Sequence, residues 1–272
     1  MLETMYPLGA GLAIVLTLAL AGVVVWRLGP GWRLVAQGAA YGLAAGAATL
    51  ILGIVIGLAS SAWLLSRPDF MTAQIAVGLA SALVLVPISE GLRYFWLRQV
   101  TPDVRSWRKA VLFGAGAAVF SGLGSGLGQL LAYGGMTMQR SFTLSEAQLA
   151  ELPPEQVAQI RAGLAQVANY WAVADYVPLL QGLDVVMLAV AQVTLTVLVL
   201  QAFAQRSWLW VGLAMGFSLL TTTLYTIGTV DWPPELLSGL LLVWTAIGVT
   251  LVVWLRGYDA PEAEQPEARV VT

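Results

Sequence analysis

The stretch Ala73 to Val100, "AQIAVGLASALVLVPISEGLRYFWLRQV", decides the class of fold. It begins with an apolar run long enough to cross the roughly 30 Å hydrocarbon core of a bilayer as a helix. Near its end, Glu90 and Arg93 stand one helical turn apart. A charged side chain inside a span costs roughly 2.5 to 3.5 kcal/mol, so such residues usually face the bundle interior and have a partner. The stretch therefore predicts a membrane helix that carries either a structural ion pair or part of a functional site.

The composition of the whole chain predicts a polytopic membrane protein. Hydrophobic residues make up 58% of the sequence and charged residues only 10%, with a mean hydropathy of +0.80. The N-terminus lacks the features of a cleaved signal peptide, so the first apolar run is expected to remain as a span. A net charge of -2 provides no basic surface for nucleic acid. We therefore expect an all-α protein with seven spans, near residues 7–26, 35–65, 73–98, 109–133, 182–204, 208–229 and 236–255.

The charge of the loops predicts the orientation of these spans, because Lys and Arg are retained on the cytoplasmic side. The odd-numbered loops and the end of the last span hold most of the basic residues, namely Arg27, Arg33, Arg98, Arg105, Arg108, Lys109, Arg206 and Arg256. The opposite side holds only Arg67, Arg140 and Arg161. The N-terminus is thus predicted to be outside and the C-terminus in the cytoplasm.

Two segments lie outside the predicted spans. The external loop 134–181 contains "TLSE", in which Thr143 is a candidate N-cap, and Pro154 is placed to begin an amphipathic helix. That helix is interpreted either as one lying on the membrane surface or as a lid over a binding site. Residues 259–272 are acidic, contain proline and lack apolar periodicity, which predicts a disordered cytoplasmic tail. Residues 1–258 are therefore expected to form a single membrane domain.

Small residues at helical spacing predict how some of the spans meet. Gly38, Gly42 and Gly46 share one stripe, and Gly122 and Gly126 share another. Such stripes let helix backbones approach closely in lipid. Close packing within one chain is the simpler interpretation, and a dimer interface is the alternative.

The segment around the two buried charges resembles a known family. "SEGLRYFWLR", followed by a basic loop and "RSWRKAVLFGAG", is similar to the YhfC family of intramembrane metallopeptidases, which are relatives of the CAAX-processing proteases. Further along, "AQVTLTVLVLQAF" and "LAMGFSLLTTTLY" resemble two later motifs of that family, so the similarity covers about residues 87–225. The resemblance implies a helical scaffold in a bacterial or archaeal cytoplasmic membrane, with a polar site built from several spans.

Most of the family's catalytic residues are replaced in this chain. The Glu-Glu-x-x-Arg motif reads Ser89, Glu90 and Arg93, so only its second Glu and its Arg remain. The other positions that the resemblance assigns to metal or catalysis are occupied by Ala117, Ser121, Gln192, Ser218 and Thr222.

The residue inventory argues against proteolysis. The chain contains no His and no Cys, whereas a catalytic zinc typically needs three imidazole, thiolate or carboxylate ligands. A Ser nucleophile such as Ser121 or Ser218 would have only Lys109 or Glu90 as a base. Glu90 is the only acidic residue expected well inside a span, and an aspartyl-type mechanism needs two. No metal or cofactor is therefore expected.

These observations lead to a hypothesis with two alternatives. The chain is interpreted as a catalytically degenerate relative that binds a transmembrane segment or a lipid-like ligand. Its expected binding residues are Glu90, Arg93, Ser121, Gln192, Ser218 and Thr222. A proton-coupled transporter that uses Glu90, and a surviving intramembrane peptidase, remain as alternatives.

Overall fold

The computed structural model describes residues 1–65, 70–141 and 153–257. These ranges contain eight α-helices and no strand. The helices are α1 (Leu2–Leu28), α2 (Trp32–Leu65), α3 (Phe70–Phe95), α4 (Trp107–Arg140), α5 (Pro154–Trp171), α6 (Val177–Ala204), α7 (Leu209–Asp231) and α8 (Pro234–Trp254). A π-helical turn, Trp96–Val100, extends α3.

Seven of these helices are long and apolar enough to cross a membrane, which confirms the predicted all-α fold class. The helix that does not qualify is α5, which lies in the predicted loop. Most helices extend past the predicted ends of their spans. Two of these differences matter below: α4 continues to Arg140, and α6 begins at Val177 rather than at residue 182. The predicted cap at Thr143 and the predicted tail 259–272 lie outside the described residues.

Local sequence explains where several helices begin and end. Gly29 follows α1 with φ of +85°, a conformation that costs glycine little, and Pro30 follows it. The Ser106 side chain accepts a hydrogen bond from the Lys109 backbone N–H at the start of α4. Proline occupies the first or second position of α5, α6 and α8, where its missing N–H has no helical partner to lose. The helix predicted to begin at Pro154 is thereby confirmed.

Glycine allows four helices to pack closely. A Cβ on Gly38 of α2 would collide with the Phe113 carbonyl of α4, and one on Gly116 of α4 would collide with the Val35 carbonyl of α2. Gly9 of α1 and Gly182 of α6 have a similar reciprocal contact. We call α1, α2, α4 and α6 the four-helix block. The predicted close packing within the chain is confirmed for both stripes, since Gly122 and Gly126 also pack against α1. Further along α2, a Cβ added at Gly53 or Gly57 would meet nothing within 4 Å.

Contacts along the helices assign each helix end to one of two ends of the bundle. Gly122 of α4 contacts Thr17 of α1, and Tyr133 lies near Tyr6, so these two helices are antiparallel. At the opposite end, the Trp107 indole N–H donates a hydrogen bond of 2.6 Å to the Val252 carbonyl. That end, which we call the basic end, holds Arg27, Arg33, Arg98, Arg105, Arg108, Lys109, Arg206 and Arg256. Its assignment to the cytoplasm stays a prediction.

Candidate functional site

Arg93 connects α3 to α6 through a network of buried hydrogen bonds. Only 1% of the residue is exposed, so it does not extend to the headgroups. Its Nη1 donates to the Gln192 carbonyl at 2.9 Å and to the Thr196 hydroxyl at 2.8 Å, and its Nη2 donates to Gln192 Oε1 at 2.6 Å. The guanidinium also lies 5.1 Å from the centre of the Tyr41 ring. These contacts hold the part of α3 nearest the basic end against the four-helix block.

Glu90 neutralises this buried cation. Its Oε2 lies 3.0 Å from Arg93 Nε, and Glu90 is only 1% exposed. The Ser218 hydroxyl of α7 is a further hydrogen-bond partner of the carboxylate. The predicted i,i+3 ion pair is therefore present, and it joins three helices rather than orienting one.

A cavity of about 480 Å³ lies directly above this pair, toward the end of the bundle where α1 begins. The cavity lies between α3 and α4. These two helices stand apart because α3 packs mainly on α2 and α7. All eight positions that the family resemblance singled out line it, together with hydroxyl and small residues from α2 and α3. The eight are Ser89, Glu90, Arg93, Ala117, Ser121, Gln192, Ser218 and Thr222.

The lining of the cavity combines a charged floor with hydroxyl and apolar walls. Glu90 and Arg93 are its only charged members among the described residues, and they neutralise each other. Five serines and two threonines also line it, from α2, α3, α4 and α7. Several of their hydroxyls, including that of Thr222, donate to the carbonyl of a residue one turn earlier and keep an acceptor oxygen available. The surface is therefore neutral overall and rich in hydrogen-bonding groups.

The two candidate bases for a serine nucleophile differ in their distance from the serines. Lys109 Nζ donates to the Asp103 carbonyl at the basic end, and it lies about 18 Å along α4 from Ser121 at 1.5 Å per residue. Glu90 is beside Ser218, but its carboxylate already accepts from Arg93. Within the described ranges, no group of three acidic, His or Cys residues is placed to hold a metal ion.

Sequence reasoning missed a second buried carboxyl, Asp184. The expected start of the fifth span at residue 182 placed this residue at the membrane edge. The helix actually begins at Val177, so Asp184 lies about 10 Å inside α6. It is only 5% exposed, with Ser238 of α8 beside it. The sequence analysis counted only Glu90 as an acidic residue well inside a span, whereas Asp184 is also buried within a candidate span. Pro178, at the start of the helix, was the signal that could have moved the expected boundary.

The amphipathic helix α5 packs away from the cavity. Tyr170 stacks on Tyr6 with ring centres 4.2 Å apart, and Trp171 packs edge-on against Tyr133. Burial raises the pKa of the Tyr170 phenol, as expected for a ring inserted between helices. No described residue of α5 lines the cavity. These contacts favour the surface-helix interpretation over the lid.

The fold and this site define a multi-pass helical membrane protein that resides in a lipid bilayer and contains a polar cavity. No family model matches the chain, and no curated protein or solved structure matches it.

Proposed function

We propose that this protein binds a neutral or zwitterionic lipid-like amphiphile in the cavity between α3 and α4. One observation carries the proposal: the eight positions singled out from the sequence come from four separate helices and line one cavity of ligand size. Ligand sites are typically about 300 to 1,000 Å³, mostly apolar, with a few polar groups that orient the ligand. Here the floor of Glu90, Arg93 and Gln192 would hold the polar end.

The volume of the cavity favours an amphiphile over a transmembrane segment. A helix about 10 Å across with a rise of 1.5 Å per residue occupies roughly 120 Å³ per residue. The cavity of about 480 Å³ therefore has room for about four helical residues, whereas a span needs about 20. A single alkyl chain is thinner than a helix, so an amphiphile fits a volume in which a transmembrane segment does not.

We further propose that the chain is a catalytically degenerate relative of YhfC-type intramembrane peptidases in a bacterial or archaeal cytoplasmic membrane. The convergence of the family-equivalent positions on one cavity supports this relation. The residues needed for catalysis are replaced: Ala117 and Ser121 stand on α4 where the family has His and Glu. The scaffold thus keeps the site for a membrane-embedded ligand and lacks the groups that would cleave it.

A proton-coupled transporter is the second candidate function. Its specific support is the second buried carboxyl, Asp184, because proton relays through membranes are built from such residues.

A glycine that lines the cavity allows a direct test of amphiphile binding. A Cβ at Gly124 would meet nothing within 4 Å, so Gly124→Phe should fold and place its ring in the cavity. Gly128, one turn further along α4, is equally open but is not part of the lining, so Gly128→Phe is the matched control. Each protein is purified in mild detergent and measured by native mass spectrometry with lipid identification.

We expect about one bound amphiphile per chain in the wild-type protein and in Gly128→Phe, and none in Gly124→Phe. Equal occupancy in both variants, or no stoichiometric amphiphile in the wild-type protein, would contradict the proposal.

A further inference from the structure

The volume of the cavity between α3 and α4 limits the size of the ligand that it can hold. A methylene group needs about as much room as one water molecule, roughly 30 Å³, so the cavity of about 480 Å³ holds about 16 non-hydrogen atoms. A phospholipid with two acyl chains has several times as many. One alkyl chain with a small head therefore matches the volume, whereas a two-chain lipid exceeds it.

The hydroxyl groups of the cavity wall favour a head that donates a hydrogen bond. Four of the seven hydroxyl side chains in the lining donate to a backbone carbonyl of their own helix and present only acceptor lone pairs to a ligand, namely Thr49, Ser81, Ser89 and Thr222. An ionised carboxylate or phosphate cannot donate to them. The two charged lining residues, Glu90 and Arg93, are already paired, so a charged head would enter without a counter-ion. A hydroxyl head satisfies both conditions.

Phe120 of α4 lines the cavity about halfway along its length, beside α2. Its height follows from Gly114, where a Cβ would lie 3.2 Å from the Thr196 hydroxyl that accepts from Arg93. Phe120 is about 9 Å further along α4, at 1.5 Å per residue. The lining continues on α4 to Ser125, about 7.5 Å beyond Phe120. A chain that extends from the floor through the cavity therefore passes beside the Phe120 ring.

Two glycines of α2 hold this ring in position. A Cβ at Gly42 would lie 2.8 Å from Phe120 Cβ, and one at Gly46 would lie 2.8 Å from Phe120 Cε1, whereas ordinary contacts are 3.4–4 Å. The ring therefore lies directly against the α2 backbone. Nearer the basic end, Gly38 and Gly116 bring the two backbones into contact, so α2 and α4 are not free to separate. A methyl group at Gly46 would accordingly push the end of the ring into the cavity.

We propose that the ligand of the cavity is a single-chain amphiphile with a hydroxyl head, and that the Phe120 ring, packed on Gly42 and Gly46, limits the size of its chain. This inference rests on the amphiphile binding proposed above and specifies the chemical class of that ligand. The α2 backbone fixes the ring on one side, and the ring fixes the width that is left for the chain on the other. Phe120 is thus a specificity-determining residue that acts by occupying volume.

Native mass spectrometry of the wild-type protein with defined probes tests the class of ligand. The protein is purified in a detergent whose head is too large for the cavity and is mixed with four probes. These are a saturated primary alcohol, the fatty acid and the alkyl phosphocholine of the same chain length, and a phospholipid with two acyl chains. The alcohol should be retained at least about tenfold more than the ionised acid, because the acid would bring an uncompensated charge to a floor whose charges are already paired. Equal retention of the acid or the phosphocholine, or preferred retention of the two-chain phospholipid, would overturn the assigned class.

A series of primary alcohols of graded chain length then tests the role of Phe120. Phe120→Ala removes about six carbon atoms from the wall and should lengthen the best-retained chain by up to about six carbons. Phe120→Leu is the milder change, which removes about three carbon atoms and should lengthen the best-retained chain by about half as much. Gly46→Ala should shorten it, because the displaced ring takes volume from the cavity.

Two matched controls lie outside the cavity lining. Phe95→Ala removes the same side chain from the exposed surface of α3, and Gly53→Ala adds a methyl group to α2 where a Cβ meets nothing within 4 Å. Both should keep the wild-type chain-length preference. An unchanged preference in Phe120→Leu and Gly46→Ala would overturn the role of Phe120 and leave the proposed function standing, whereas retention of no probe by the wild-type protein would overturn both.

Discussion

Removal of Glu90 should destabilise the protein more than removal of the whole ion pair. Glu90→Ala leaves Arg93 buried with only the neutral acceptors of Gln192 and Thr196. Breaking a buried pair in this way typically costs about 3 to 5 kcal/mol, because a charge is left uncompensated. Glu90→Ala combined with Arg93→Leu removes both charges but leaves Gln192 Oε1 without its donor, so we expect a cost of about 1 to 3 kcal/mol.

The thermal unfolding midpoint of the protein in detergent, followed in a double-mutant cycle, measures the difference. At about 2 to 4 °C per kcal/mol for a chain of this size class, Glu90→Ala should lower the midpoint by on the order of 10 °C. The coupling energy should be at least about 1 kcal/mol. Glu90→Gln keeps an oxygen acceptor for Arg93 Nε and should cost less than Glu90→Ala.

The exposed pair of Glu3 and Arg140, 3.1 Å apart, provides a matched control. Solvent screens such pairs, so the same cycle there should give less than about 1 kcal/mol. Near-zero coupling between Glu90 and Arg93, or a coupling no larger than at the exposed pair, would refute the structural role assigned to the buried charges.

Three further predictions concern packing, topology and metal content. Gly116→Val should destabilise the protein by at least about 1 to 3 kcal/mol, because its side chain would collide with the Val35 carbonyl. Gly57→Val should fold normally, since a Cβ at Gly57 meets nothing within 4 Å. Equal unfolding midpoints for the two variants would contradict the packing. A reporter fused after Thr272 should be cytoplasmic and one inserted at 148–150 should be external, and the reverse at both points would refute the orientation. Elemental analysis should find no stoichiometric zinc, and a chelator should leave the unfolding midpoint unchanged; one tightly held zinc per chain would contradict the degenerate-peptidase hypothesis.

Hydropathy alone predicted the seven membrane helices, for a physical reason. A chain in lipid must satisfy every backbone hydrogen bond within itself, so a long apolar run has few alternatives to a helix. The Glu90 and Arg93 pair was also predictable, because two opposite charges one helical turn apart in a span usually pair with each other. In the structure both features are present, and Arg93 has additional partners on α6 that spacing on its own helix cannot indicate.

The remaining features depend on distances between helices. Tyr41 packs on Arg93, and Tyr170 on Tyr6, from positions far apart in the sequence with no local signal. Asp184 was missed because a hydropathy boundary is accurate only to several residues, and five residues decided whether this carboxyl was counted as buried. The cavity itself is a gap between α3 and α4, which no pattern within either helix encodes.

The reciprocal glycine contacts have a mechanical consequence. In the four-helix block, carbonyl groups of one helix rest against glycines of the next, so these helices cannot slide or separate without losing contact along their whole interface. By contrast, α3 contacts α7 through Gly78 and the Thr226 methyl group. We therefore expect a change in the volume of the cavity to come from movement of α3 together with α7 about the Arg93 network, with the four-helix block as the stationary frame.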